Sequence, residues 1–312
     1  MKRILKTSGY TLLVVIVLFN IIAAFHAWQF THFYDENHVN KLPEQMSTGE
    51  KLRMVLFGVH IAKSTTRQYP DTPYEKVMLP STNKLLIEGW WIPVMQAKGT
   101  VILFHGYNGN KGTLLPEASY FRSLGYNTFL VDFRAHGNSQ GLTCSVGYKE
   151  AGDVLTAWNY VSQKAAGPIV LWGVSMGAAA IMKAIPEYHL TPQKIIIESP
   201  FATLTDAVKS RMRAVNLPPT PLSQILTFWG GLEQGFWGPG FKPAEYAHDI
   251  HMPVLYCYGA KDIRVEAHET EEIFSQLGTK DKQLHIFPNA GHQSFCQHDS
   301  ATWHQLVRSF LQ

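Results

Sequence analysis

Ile169-Val170-Leu171-Trp172-Gly173-Val174-Ser175-Met176-Gly177-Ala178-Ala179-Ala180-Ile181 is the stretch from which the rest of the chain can be read. Its first four residues form a short apolar run that reads as a buried strand. That run enters G-x-S-x-G, and Met176–Pro186 has the composition of a helix. Glycines on either side of a serine permit a tight strand-to-helix turn, which thrusts the serine hydroxyl above the end of a sheet. The helix that follows points the positive end of its dipole at the place where an oxyanion would develop. The pentapeptide alone is weak; the strand before it and the helix after it give it weight.

Other short apolar runs flank this one: Val101–Phe104, Thr128–Val131, Lys194–Ile197, Val254–Tyr258 and Gln283–Phe287. Segments apolar on both faces are what parallel strands covered by helices look like. Helix-compatible stretches alternate with them at Leu114–Leu124, Tyr148–Lys164, Ala267–Leu277 and Ala301–Leu311. This alternation predicts an α/β fold with a doubly wound, mostly parallel sheet. Glu75–Leu79 and Leu85–Ile92, around Ser81-Thr82-Asn83, read as an antiparallel hairpin. Phe201–His248 breaks the alternation with Pro218, Pro219, Pro221 and the pair Gly230-Gly231. It reads as a small helical cap over the carboxyl edge of the sheet.

A serine is a weak nucleophile without an adjacent base, and the base needs a third group to fix its tautomer. On a strand–serine–helix scaffold the acid and then the histidine should follow, each in a loop after a later strand. Asp262 stands in Gly259-Ala260-Lys261-Asp262 after one such strand, and His292 ends Pro288-Asn289-Ala290-Gly291-His292 after the next. The oxyanion hole would use the backbone N–H groups of Met176 and Tyr107, so neither side chain need be special. His105 is expected to stabilise a loop, and so is the segment Asp132–Ser139, despite its Asp, Arg and His. Glu150 and Asp153, three apart on one helix face, are expected to be solvated or to serve the helix dipole.

These residues together resemble the α/β-hydrolase superfamily over about Pro73–Leu311. The flavour is that of the Bem46-like and ABHD13/ABHD17-like serine hydrolases, grouped with the serine aminopeptidase-like members. The resemblance rests on His105-Gly106-Tyr107, Asp132–Ser139, Gly173–Gly177, Glu198-Ser199-Pro200-Phe201, Gly259–Asp262 and Gly291-His292. Ala135 departs from it, standing where these families usually carry glycine. The resemblance implies hydrolysis of an ester, thioester or amide through an acyl-enzyme on Ser175, with no cofactor. An esterase or thioesterase acting on a small or lipid-like acyl substrate is favoured over a peptidase, and an intact triad argues against an inactive binding module.

The chain has 312 residues and a net charge of +3. That bias is too weak to argue for nucleic acid. Cys144, Cys257 and Cys296 show no metal-ligand spacing, which excludes a zinc-site reading. Lys2, Arg3 and Lys6 precede an uncharged stretch from Ser8 to Phe33, so residues 1–33 read as an uncleaved signal anchor, with a cleaved signal peptide and a buried core helix as the alternatives. Positive charge before the span, with Asp35, Glu36 and Glu44 after it, places the bulk of the chain on the non-cytoplasmic side of a single-pass membrane protein. Residues 34–72 read as a membrane-proximal linker with a helix capped at Ser47 that packs on the domain, and residues 73–312 as the hydrolase domain. In a non-cytoplasmic compartment a Cys144–Cys296 disulfide would tie the histidine loop to the loop after the fourth strand, although free thiols are the default.

Overall fold

The computed structural model describes residues 2–36, 40, 41, 45–82, 84–165 and 167–312; Glu44 and Asn83, named above, lie outside these. The apolar runs become β1 (Glu75–Pro80), β2 (Leu86–Ile92), β3 (Thr100–Phe104), β4 (Asn127–Val131), β5 (Ile169–Val174), β6 (Lys194–Glu198), β7 (Val254–Gly259) and β8 (Lys282–Phe287). They form one sheet in the order β1-β2-β4-β3-β5-β6-β7-β8. β1 and β2 form the predicted antiparallel hairpin, β2 joins β4 antiparallel, and every later pairing is parallel.

Alternate residues explain why the central strands carry no polar face. Ile102, Phe104, Leu171, Ile195, Ile197 and Tyr256 feed a core on one side of the sheet. Val101, Leu103, Val170, Trp172, Ile196 and Leu255 feed a second core on the other side. The helices that close these cores are α3 (Leu115–Ser123), α4 (Ala151–Lys164), α5 (Met176–Tyr188), α9 (Ala267–Gln276), α10 (Phe295–His298) and α11 (Ser300–Leu311). From β3 the chain passes to β4 on one side and then to β5 on the other. The carboxyl ends of β3 and β5 therefore flank a topological switch point, where open α/β sheets bind their ligands.

The segment expected to be a cap is one: α6 (Leu204–Ala214), α7 (Leu222–Glu233), α8 (Pro243–Tyr246) and two short 3₁₀ turns. At the other end of the chain, α1 spans Lys2–Thr31 and α2 spans Thr48–Phe57. Within α1, the 23 residues Gly9–Thr31 contain an apolar window with a mean hydropathy of 2.2, and only 11% of that window is buried. Such a helix is about 35 Å long, enough to cross the hydrocarbon core of a bilayer. Its last turns join the domain: Ala23 and Ala27 are buried, and Phe33 just beyond lies in the main core. Asn20, a polar flaw in the sequence of the span, accepts a hydrogen bond from Trp229 Nε1 of α7 at 3.1 Å.

Two expectations are corrected, and the cysteines keep their default. The capping box at Ser47 forms, with Ser47 N donating to Glu50 Oε2 at 2.8 Å. Yet α2 buries none of its residues, and Leu52, Leu56 and Phe57 are exposed; it touches the cap through Lys51, whose Nζ donates to the Ala214 carbonyl at 3.0 Å, and the chain is buried only beyond it, at Ile61 and Ala62. Glu150 and Asp153 stand at the N-cap and in the first turn of α4, as the helix-dipole alternative expected, but they are not solvated; both are fully buried. The start of α4 faces protein, so Asp153 binds Arg134 through Nε at 2.9 Å and Nη2 at 2.7 Å. Glu150 accepts from the amides of Ser145 and Gly147 at 3.0 and 2.8 Å. Spacing shows that two residues share a face and does not show what covers it. All three cysteines are free and buried, and Cys144 and Cys296 sit in the cores on opposite sides of the sheet, which excludes a bridge.

Candidate active site

Ser175 stands between β5 and α5 with φ 53° and ψ −117°, a left-handed backbone that non-glycine residues seldom adopt. Its amide donates to the Glu198 carbonyl at 2.7 Å, which ties the turn to the neighbouring strand. The flanking glycines are sterically required. A Cβ on Gly177 would lie 2.4 Å from the Phe104 carbonyl oxygen, and one on Gly173 would lie 2.8 Å from the Ala178 nitrogen. The end of β3 is thus pressed against the start of α5, and Gly106 approaches the Ser175 Cβ from the same side.

Beyond β7 and β8, His292 Nδ1 donates to Asp262 Oδ2 at 2.7 Å. Asp262 Oδ1 accepts the amides of Arg264 at 2.8 Å and Val265 at 3.0 Å. Burial pushes the Asp262 carboxyl up, but the His292 hydrogen bond and charge and the two amides outweigh it and hold the group below the ordinary carboxylate range. An ionised Asp262 fixes the proton on Nδ1 and leaves Nε2 unprotonated, the tautomer a general base requires. The Ser175 hydroxyl and His292 make no hydrogen bond to each other in this structure. Such contacts are commonly long without substrate and tighten when it binds.

Residues 95–228 match the family model described as Serine aminopeptidase, S33, and residues 226–306 match that of the Dienelactone hydrolase family. Protein bem46 of Schizosaccharomyces pombe is 25% identical over 246 residues, covering 76% of this chain and 76% of its own length. Lysophosphatidylserine lipase ABHD12 of Xenopus tropicalis is 24% identical, covering 71% of this chain and 60% of its own length. Among solved structures, the Pyrococcus furiosus esterase Pf2001 superposes with a TM-score of 0.67 at 23% identity, covering 80% of this chain and 97% of its own. The chain has the α/β-hydrolase fold and is similar to its Bem46-like members.

The loops around this hydrolase site carry the bracing roles expected of them. His105 donates from Nδ1 to the Gly106 carbonyl at 2.7 Å and accepts from the Phe133 amide at Nε2 at 3.1 Å. His136 likewise links the Arg134 carbonyl at 2.8 Å to the Asn108 amide at 3.1 Å. Burial pushes His105 down to about 4 and His136 to about 3, so both stay neutral. With both ring nitrogens engaged, neither is a second base. Asp132 pairs with buried Lys111 and accepts its amide at 2.7 Å. Ala135 adopts φ 63°, the left-handed region that explains the family's preference for glycine there.

One expectation about this site is corrected. The Tyr107 side chain is not incidental: its hydroxyl donates to the Phe30 carbonyl at 2.6 Å and latches the end of α1 to the loop after β3. Burial pushes its ionisation far above the ordinary range, so it remains a donor. Nothing local to either residue signals this contact, which spans 77 positions.

Glu198 lies behind the nucleophile turn, fully buried, with Oε1 accepting Trp172 Nε1 at 3.1 Å and Trp303 Nε1 at 2.7 Å. Burial first, and the charge of Glu117 second, push its carboxyl up to about 8 against the two indole donors. Between its ordinary value of 4.5 and about 8 the folded chain holds a proton that the unfolded chain has released. Stability conferred by this group is therefore present at low pH and declines as pH rises through that window. In Glu198→Gln an amide oxygen still accepts from both indoles and the titration is gone. Denaturant titrations across the window should show a flatter dependence of unfolding free energy on pH for the variant than for the parent chain.

Proposed function

We propose that this hydrolase cleaves the acyl bond of an ester or thioester through an acyl-enzyme on Ser175. The observation that supports this most is the His292–Asp262 pair, held at 2.7 Å at the same sheet edge as the strained Ser175 turn. Ser175 Oγ adds to the substrate carbonyl carbon while its proton passes to His292 Nε2. The amides of Tyr107 and Met176 receive the oxyanion, the latter at the positive end of α5. Collapse expels the alcohol or thiol, which takes the proton from His292. Water then adds to the acyl carbon by the same route and releases the acid and free Ser175. No step needs a cofactor or metal.

A lipid-like acyl substrate is supported by two things. ABHD12, one of the relatives, is described as a lysophosphatidylserine lipase. The cap of this chain also packs against a helix long and apolar enough to anchor in a bilayer. With Lys2, Arg3 and Lys6 before the span, the anchor holds the N-terminus in the cytosol and the catalytic domain on the other side. The match to serine aminopeptidases keeps amide cleavage as a second reading, which uses the same steps with an amine leaving. A fluorophosphonate probe tests the core of the proposal. It should label the parent protein, and Ser175→Ala should abolish labelling. Equal labelling of both would reject Ser175 as nucleophile. Side-by-side turnover of nitrophenyl esters, acyl thioesters and aminoacyl anilides then separates the two readings.

A further inference from the structure

We propose that the substrate's acyl chain occupies an apolar pocket whose outer wall is α1 itself, so that the ester of a membrane lipid reaches Ser175 from the bilayer. This rests on the acyl-hydrolase reading above. The pocket is a narrow cavity of about 60 Å³ that opens to solvent, room for the first methylenes of an acyl chain whose remainder extends out of it. Ala27 and Phe30 of α1, Ala207 and Val208 of α6, Leu226 of α7 and Tyr107 of the loop after β3 line it. Tyr107 is also the residue whose amide is assigned to the oxyanion, so the pocket reaches the loop beside which the ester carbonyl would sit. An acyl chain extending from that carbonyl meets an almost wholly apolar lining, as its desolvation requires.

The pocket's position gives the direction of entry. Ala27, Phe30 and Thr31 belong to the last turns of the apolar span, at the level where a membrane helix leaves the hydrocarbon core. The apolar side chains left exposed around that end of α1 fit the same level. Leu52, Leu56 and Phe57 of α2 are exposed, and Gly58 at the end of α2 abuts Phe25 and Gln29 of α1. Leu232 of α7 and Trp237 beyond it are exposed on the cap that lies along α1. Exposed aliphatic and tryptophan side chains beside an emerging membrane helix are what an interfacial collar is made of. The hydrogen bond from Trp229 to Asn20 and that from Tyr107 to Phe30 fasten cap and catalytic loop to opposite ends of this wall. Each would be superfluous for a helix that served only as a tether.

The test uses full-length protein in phospholipid nanodiscs. Val208→Trp and Ala27→Leu narrow the pocket from opposite walls. In each, the ratio of kcat/KM for a nitrophenyl palmitate to that for the acetate should fall at least about tenfold, since a filled pocket excludes methylenes one by one. Fluorophosphonate labelling reports whether each variant is folded. With labelling intact, an unchanged ratio overturns the proposal. A second arm does not depend on turnover: Ser175→Ala in nanodiscs receives a fatty-acyl ester carrying a diazirine near the carbonyl end of its chain. Crosslinks to the peptide containing Ala27–Thr31 and to α6 are expected. Crosslinks confined to Gly9–Ile22, as for bulk lipid, would overturn it. Failure of the hydrolase reading looks different, since parent protein would then show no labelling and no Ser175-dependent turnover of any ester.

Discussion

Ser175→Ala and His292→Ala should each lower kcat by at least about 10³-fold, and the double variant should be little worse than either one. The reason is that a base without its nucleophile, or a nucleophile without its base, has nothing to act on. Asp262→Asn should also be severe while leaving the protein folded. Its side chain still accepts the amides of Arg264 and Val265, but it no longer carries the charge that fixes His292 in the reactive tautomer. Steady-state kinetics on a short nitrophenyl ester measures all four proteins. Losses that multiply in the double variant would show that Ser175 and His292 do not act as a unit and would sink the assignment.

Asp153→Ala should destabilise the fold by about 3–5 kcal/mol, the cost of leaving one member of a buried ion pair alone. Arg134 is 2% exposed, and Asp153 accepts its Nε, its Nη2 and its amide, together with the Ser81 hydroxyl. Removing the carboxylate strands a guanidinium in the main core. Replacing both partners, as in Arg134→Met with Asp153→Leu, should recover much of the loss because no buried charge remains. Urea unfolding followed by tryptophan fluorescence gives both values. A cost below about 1 kcal/mol for Asp153→Ala would mean that water reaches Arg134 and that the pair is a surface bridge in effect.

Both results concern features that the amino-acid order revealed to different degrees. The turn at Ser175 was legible because its stereochemistry is local. Glycine on either side of Ser175 and the apolar run before it follow from the steric limits of one tight turn. The sheet was legible for a related reason: a strand buried on both faces has no polar position, so β3 to β7 appear as unbroken apolar runs with ends within two residues of those observed. The pairing of Asp262 with His292 was legible because each loop begins where such a run stops, and the 2.7 Å contact between them follows from two adjacent parallel strands.

What only the tertiary structure decided depends on which faces meet. Periodicity set Glu150 and Asp153 on one side of α4, but their burial follows from the loop carrying Arg134 lying across the start of that helix. The apolar positions of α2 suggested a packed helix, yet it buries none of its residues and leaves Leu52, Leu56 and Phe57 exposed. The cysteines looked close because both follow catalytic-edge loops, and the sheet between them separates them. The apolar length of Gly9–Thr31 was plain in the sequence, whereas its union with the cap through Asn20 and with Tyr107 through Phe30 was not. Sequence order determines what a segment can form by itself. Contacts between segments many tens of residues apart depend on how the finished surfaces fit, and that is settled only when the whole chain has folded.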